Sequence, residues 1–390
     1  MRVARFVVPV LFFCAIALAA QSGGASDPND ACADADQAVA ASQWQKARSL
    51  YATCLATSPP RFETLSNQGM VLTQLGLMSE AIERYQKALA LSPGNTKVEF
   101  NLAVAFVKAG NFNAAVEQLL TLRKVEPDEV RIPELLAFSY YHLGRYSLAA
   151  REAEKVNKSH PENAGNALIL GSAYTRLGLY EKALPLITMA LKSAGSAEGH
   201  LIMGETLLGL RLYRPAIEEL TQAATLQPDL QGLHSALGVG NVGLGNPDAA
   251  LAEFQKALDA DPNDYQANYY MGRLKRLAGD IVAARKFLER ANQLRPGTAE
   301  VVFEFAAIEM TAQDYSKAEP LLTRVVRQEP DHREAHFLLA KIYLKQGRRE
   351  AAQRERETFE RLTKAEQDKA SREDATVGSA KETHDSATKN

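Results

Sequence analysis

One stretch of the chain literally matches a nucleotide-binding motif. Gly238, Gly240 and Gly243 form a G-x-G-x-x-G pattern, and Asp261 follows at roughly the distance of that motif's acidic residue. A dinucleotide site requires a β-strand before these glycines and a helix that opens after them. Gly238 and Gly245 instead fall on positions of a sequence repeat, inside a predicted helix. We therefore interpret the glycines as helix-packing residues and expect no cofactor.

Two histidines have a spacing that zinc ligands can use. His332 and His336 are four residues apart, but no H-E-x-x-H motif surrounds them and no third ligand is evident. His332 also falls in a predicted loop. The sequence contains neither a nucleophile elbow nor a phosphate-binding Walker loop, and no stretch is left over for a catalytic domain. It therefore indicates neither an enzyme nor a metal site.

A repeat of 34 residues organises the sequence. One alanine returns ten times at this period, with a single interval of 33 residues. Glycine or alanine stands twelve residues before each of these alanines, and proline stands twelve residues after most of them. Small residues let two helices cross closely, and proline ends a helix because it lacks an N–H. The period therefore predicts stacked helical hairpins. The ten repeat alanines are Ala47, Ala81, Ala115, Ala149, Ala183, Ala216, Ala250, Ala284, Ala318 and Ala352.

This layout resembles that of the tetratricopeptide repeat (TPR) family, in an exported bacterial form. The resemblance covers roughly residues 28–366 and departs from the family at its tryptophan position, where Leu65, Glu99 or Asn268 stands. It implies an all-α fold: an α-solenoid, a right-handed superhelix of about ten TPR-like helical hairpins. In that fold the first helix of each hairpin lines a concave groove.

Both ends of the chain lie outside the predicted solenoid. Residues 1–20 combine Arg2 and Arg5 with an apolar run and an Ala-x-Ala pattern, which is typical of a secretory signal peptide. An uncleaved anchor helix is the alternative. Residues 21–27 are interpreted as a linker, and the charged residues 367–390 as a disordered tail. We thus expect an exported protein, in the periplasm or outside the cell.

Two cysteines, Cys32 and Cys54, would remain in the exported chain. Both lie in repeat 1, early on its first helix and late on its second, so antiparallel pairing brings them to the same end of the hairpin. An oxidising compartment favours a disulfide between them. Two small buried thiols are the alternative.

The inward side of the predicted first helices carries basic and aromatic residues. Cations recur in repeats 3–5, and aromatic and basic residues gather in repeats 4 and 8. A solvated helix face or repeat core explains them without a ligand. Alternatively they capture an extended peptide, with rings against apolar side chains, cations on carboxylates and asparagines on the backbone. The candidate groove residues are Asn67, Asn101, Lys108, Phe138, Tyr141, His142, Arg176, Tyr269, Arg273 and Arg276.

These features favour a non-enzymatic scaffold that binds a protein or peptide in the cell envelope or outside the cell. The net charge of −2 gives no general attraction to nucleic acid. Contact with a membrane is expected only through partners or an uncleaved anchor. An alternative is an envelope-assembly or polysaccharide-secretion component that binds glycan or docks a membrane complex, since aromatic platforms suit sugars as well as peptides.

Overall fold

The computed structural model describes residues 32–387, which form twenty α-helices and contain no β-strand. The first unit of the chain runs up to Ala236 and the second begins at Leu237. The helices are α1 (Ala33–Ala40), α2 (Trp44–Thr57), α3 (Phe62–Gln74), α4 (Met78–Leu91), α5 (Thr96–Lys108), α6 (Phe112–Val125), α7 (Arg131–His142), α8 (Tyr146–Ser159), α9 (Ala164–Arg176), α10 (Tyr180–Ser193), α11 (Ala197–Gly209), α12 (Tyr213–Leu226), α13 (Leu233–Gly243), α14 (Pro247–Ala260), α15 (Tyr265–Leu277), α16 (Ile281–Leu294), α17 (Ala299–Thr311), α18 (Tyr315–Gln328), α19 (Arg333–Lys345) and α20 (Arg349–Ala387).

Within each unit the helices pair as hairpins, and each hairpin packs on the next. In the first unit α3 pairs with α4 and α11 with α12, while in the second α15 pairs with α16 and α17 with α18. The second helix of one hairpin then contacts the first helix of the next, as α4 contacts α5 and α16 contacts α17. The all-α solenoid predicted from the repeat is confirmed.

The repeat alanines mark the points where the two helices of a hairpin cross. All ten are buried. The small residue twelve positions earlier is needed for the same close approach. A Cβ atom on Gly204 would lie 2.5 Å from Cγ of Leu220 and 3.3 Å from the backbone oxygen of Ala216. Hydrophobic side chains of adjacent hairpins fill the space between these crossings and form the core.

Turn geometry follows the sequence in the same way. Gly144 follows the C-cap of α7 with φ of +71°, a left-handed conformation that side chains rarely adopt. The single 33-residue interval shortens the connection between α10 and α11. Three residues join these two helices, whereas four residues join α4 to α5 at the corresponding place of an earlier repeat.

The motif glycines Gly238, Gly240 and Gly243 lie in helix α13, and a Cβ atom on Gly238 would lie 2.5 Å from the ring of Phe254, so the helix-packing interpretation is confirmed for Gly238. His332 is the N-cap of α19, where its ring accepts a hydrogen bond from the amide of Ala335. His336 is buried in the same helix. Across the described residues no three potential ligands gather around a metal position.

The predicted signal peptide (1–20), the linker (21–27) and the first residues of the predicted solenoid lie outside the described residues. At the other end α20 continues to Ala387, and the disorder expected from residue 367 stays a prediction. Earlier in α20, Arg356 and Glu360 form an ion pair one turn apart at 2.8 Å, a contact that supports polar helices. No helix among the described residues has the length and apolar character to span a bilayer.

Candidate functional site

The two cysteines of repeat 1 are joined. Cys32 and Cys54 form a disulfide with their Cα atoms 5.3 Å apart. The bond ties the start of α1 to the last turn of α2. It closes the open end of the first hairpin, whose short helix α1 has only 8 residues to hold it in place.

Asn67, a candidate for hydrogen bonding to a peptide backbone, is hydrogen-bonded to a side chain within the first unit. Its amide donates to Oδ1 of Asp36 at 3.1 Å, and the hydroxyl of Tyr51 donates to the same carboxylate oxygen. Asn101, its counterpart in the next repeat, is half-buried on α5. The two residues share a repeat position, and of the two Asn67 has an acidic neighbour of this kind.

The cations predicted in repeats 3–5 carry less positive charge than the sequence implies. His142 stacks on the ring of Phe112 at 4.7 Å and lies 4.4 Å from the ring of Phe138. Burial lowers the pKa of His142 to about 4, so the imidazole is neutral near pH 7. Burial also lowers the pKa of Lys108. His142 is thus part of an aromatic cluster and not a cation.

Arg176 keeps its charge but is already engaged. Its guanidinium lies 3.1 Å from a carboxylate oxygen of Glu205 on α11, and it also interacts with the hydroxyl of Tyr141. Burial raises the pKa of both Glu205 and Tyr141, and Arg176 opposes that rise in each. The first unit therefore offers half-buried aromatic surface together with a neutralised ion pair.

In the second unit, the predicted residues of repeat 8 come together on α15. Asp264 caps this helix by accepting from the amide of Ala267 at 2.9 Å. The rings of Tyr265 and Tyr269 are stacked one turn apart, 6.5 Å between centroids. Arg273 follows one further turn along the same face, because residues four apart are neighbours on a helix surface. The result is a row of two rings and a guanidinium.

Glu304 on α17 meets this row and was not among the predicted residues. Its side chain is only 2% exposed, and its two oxygens face two arginines. Nε of Arg276 donates to Oε2 at 2.6 Å, whereas Nε of Arg273 lies 3.6 Å from Oε1, an ion pair without a hydrogen bond. A buried carboxylate is stable only when it is paired. Arg276 is therefore first of all the counter-ion of Glu304.

The two arginines differ in exposure. The side chain of Arg276 is 16% exposed and that of Arg273 is 42% exposed. Two cations face one carboxylate, so one positive charge is left over, and it belongs to the arginine that reaches solvent. Beside it, burial and then Glu304 raise the pKa of Tyr269, so its hydroxyl remains protonated. This arrangement suits a ligand that carries an acidic group next to an apolar one.

The sequence contained a signal for Glu304. It stands fourteen residues before a repeat alanine, a place that Leu135, Ile202 and Leu338 occupy in other repeats. An acid at a position that is apolar in these repeats, although Asn67 and Asn101 occupy it in repeats 2 and 3, suggests a buried charge with a partner nearby. The arginine partner lies in the preceding repeat, so the pair can be found only by comparing adjacent repeats.

Three known proteins resemble the chain, and the two curated ones do so over limited stretches. It is 28% identical over 140 residues to cellulose synthase 1 operon protein C of Komagataeibacter xylinus, covering 33% of this chain and 11% of that protein. It is 29% identical over 114 residues to superkiller complex protein 3 of Mus musculus, covering 27% and 7%. The chain thus spans about a tenth or less of the length of these curated relatives. A chain of the APC/C hetero-tetramer Cut9–Hcn1 superimposes with a TM-score of 0.54 at 16% identity, over 85% of this chain and 80% of that one, which shows a shared fold.

Two family models, both described as tetratricopeptide repeat, match most of the chain. One matches residues 72–137, 242–302 and 309–372, and the other matches residues 32–96 and 135–198. Proteins of this kind are generally non-catalytic scaffolds that bind proteins or peptides. The chain belongs to the tetratricopeptide repeat family.

Proposed function

We propose that the protein is an exported scaffold that binds an extended segment of a partner protein, and that Tyr269 and Arg273 hold that segment. The tyrosine ring would contact an apolar side chain, and the guanidinium would bind a carboxylate. Guanidinium groups bind carboxylates through paired, charge-assisted hydrogen bonds, which give direction as well as strength.

One observation carries this proposal: the unequal engagement of the two arginines around Glu304. Arg276 donates to the buried carboxylate at 2.6 Å, so Arg273 is not needed to neutralise it. Arg273 remains 42% exposed and sits one turn from the half-buried ring of Tyr269. A positive charge beside a ring, on a rigid helix, is the composition that binding hot spots favour.

Location outside the cytoplasm is the second part of the proposal. Its support is the signal-like composition of residues 1–20 together with the disulfide between Cys32 and Cys54. Protein purified from its native source should begin near residue 20 or 21 and contain no free thiol at these two positions. Two reactive thiols would remove the oxidising compartment from the proposal, and an intact Met1 would replace secretion by an anchored form.

A second candidate function is a component of polysaccharide secretion or envelope assembly. Its support is the stacked pair Tyr265 and Tyr269, a platform that suits sugar rings, and the 28% identity to a cellulose synthase operon protein. Binding to a glycan array with loss on Tyr269→Ala would favour this candidate over peptide capture. No glycan signal together with peptide binding would reject it.

Binding to a defined probe tests the main proposal. The purified chain is used to select from a library of random peptides, and we expect enrichment of peptides with an acid next to an apolar residue. Arg273→Ala should weaken binding of a selected peptide by about tenfold or more, the scale of a hot-spot residue.

Arg285 provides the matched control. It is 43% exposed, lies in the same unit on α16 and pairs with Glu309 of α17 at 2.9 Å, so it shares the exposure and partner type of Arg273. Arg285→Ala should leave the affinity within about twofold. Equal effects of the two substitutions would show a general charge effect and defeat the proposed site.

A further inference from the structure

A recurring aromatic position marks where one repeat packs on the next. Fifteen residues before their repeat alanines stand Phe100, Tyr269, Phe303 and Phe337. We call this the ring position. Three of these rings lie in repeats that are followed by another repeat, and Phe337 lies in repeat 10, the last one.

The following repeat packs against the ring in each internal case. The guanidinium of Arg131, at the start of α7, lies 4.3 Å over the ring of Phe100. The imidazole of His332, at the start of α19, lies 4.6 Å from the ring of Phe303. Tyr269 packs against the core that includes Ile308 of α17 and stays half-buried. The first helix of the next hairpin is thus the normal neighbour of this position.

The same face is open in repeat 10. Phe337 is 51% exposed, and its ring is tilted against that of Phe359 of α20, with the centroids 5.4 Å apart. Seven residues on, Leu344 is 63% exposed, whereas its counterpart Val107 in repeat 3 is 7% exposed. Lys341 lies between them on the same helical face and is also exposed. We call Phe337, Lys341 and Leu344 the end face.

The counterparts of the end face in repeat 8 show what kind of surface fits it. Lys341 corresponds to Arg273, Phe337 to Tyr269 and Leu344 to Arg276, so Lys341 is the cation that the end face offers to an acid. The helix that packs on repeat 8 is α17, which brings Ile308 to the core beside Tyr269 and the carboxylate of Glu304 to 3.6 Å from Arg273. The interface between repeats 8 and 9 therefore pairs an aromatic and cationic face with an apolar and acidic helix.

We propose that the end face docks an amphipathic α-helix of a partner protein, which carries an apolar stripe and a carboxylate directed at Lys341. The helix continues the stack in the place that the first helix of an eleventh repeat would take. A second copy of this chain fits less well, because a symmetric pairing of two end faces brings together Lys341 and Lys345 of both copies, and like charges in an interface repel.

The chain supplies its own probe for this surface. A peptide of residues 297–312 contains α17, the helix that covers the corresponding face of repeat 8. We expect this peptide, labelled with a fluorophore, to bind the full chain saturably. Leu344→Asp should weaken that binding by about tenfold or more. Leu277→Asp is the matched control, since Leu277 is also 63% exposed in the same unit, and it should change the affinity by less than about twofold.

A charge exchange tests the orientation. A peptide with Glu304→Lys should bind the natural chain more weakly and regain affinity for a chain with Lys341→Glu, because only a direct contact is rescued by exchanging both charges.

Three results would overturn the inference. The first is the absence of saturable binding up to about millimolar peptide, since even weak specific complexes are formed by that concentration. The second is loss of peptide binding on Arg273→Ala with no effect of Leu344→Asp, which would move the peptide to the groove site. The third is self-association of the free chain that Leu344→Asp abolishes in sedimentation, which would assign the end face to a second copy. None of these results depends on whether peptides selected for the groove bind there.

Discussion

Removing Arg276 should destabilise the second unit far more than removing a surface charge. Arg276→Val leaves the carboxylate of Glu304, which is 2% exposed, without its hydrogen-bonded counter-ion. Breaking a buried ion pair from one side costs about 3–5 kcal/mol. Arg273 lies 3.6 Å from the other carboxylate oxygen and can compensate in part, so we expect a loss near the lower end, about 3 kcal/mol.

The first unit contains an apolar version of the same contact. Val107 and Leu135 occupy the repeat positions of Arg276 and Glu304 and are buried in one cluster. The double variant Arg276→Val with Glu304→Leu copies that pair. Replacing a buried ion pair by packed hydrophobic residues is often neutral or stabilising. The double variant should therefore recover most of the stability that Arg276→Val loses, which gives a coupling energy of about 2–3 kcal/mol.

Native-state hydrogen exchange measures this coupling locally. Amides of α15 and α17 report the free energy of opening of the affected hairpins. A single unfolding transition of the long repeat chain would instead average this free energy over all repeats. Natural protein, the two single variants and the double variant complete the cycle. A cost below about 1 kcal/mol for Arg276→Val, or strictly additive effects, would refute the assignment of Arg276 as the counter-ion of Glu304.

Three further outcomes are expected. Reducing the Cys32–Cys54 bond, which closes a separation of 22 residues, should cost repeat 1 about 3 kcal/mol, measured by denaturant unfolding with and without reductant; unchanged stability would contradict it. Gly204→Ala places a Cβ 2.5 Å from Leu220 and should cost about 1–3 kcal/mol, seen as a lower melting temperature, whereas an unchanged one would show that the crossing is loose. Folding holds the pKa of His142 at about 4, below the value of about 6.5 for an unfolded chain, so the unfolded state binds more protons in between and stability should fall as pH drops through that window. His142→Phe should flatten this slope in unfolding titrations, and an unchanged slope would assign it to other groups.

The repeat positions could be predicted from sequence because backbone geometry dictates them. A close helix crossing has room only for a small residue, so the residue types at Ala216 and Gly204 are enough to predict where the two helices cross. The charge states of the candidate site residues could not be predicted from the sequence in the same way. His142 is neutral because the rings of Phe112 and Phe138 bury it, and helical spacing does not reveal that burial.

The engagement of the predicted cations also depends on contacts between repeats. Arg176 finds Glu205, and Arg276 finds Glu304, each on the first helix of the following hairpin. A residue-by-residue reading of one repeat treats these arginines as available for a ligand. Comparison of repeats gives a partial signal for Glu304, since its position is apolar in repeats 4, 6 and 10 but holds Asn67 and Asn101 in repeats 2 and 3.

Photocrosslinking from the proposed site in the native host tests the central claim most directly. A photoreactive amino acid replaces Tyr269 in the exported protein, and illumination of intact cells is followed by detection of adducts. We predict a discrete adduct with a partner protein that disappears with Arg273→Ala and persists with Arg285→Ala. Absence of any adduct, or an adduct that is indifferent to Arg273→Ala, would contradict a scaffold that holds its partner at Tyr269 and Arg273.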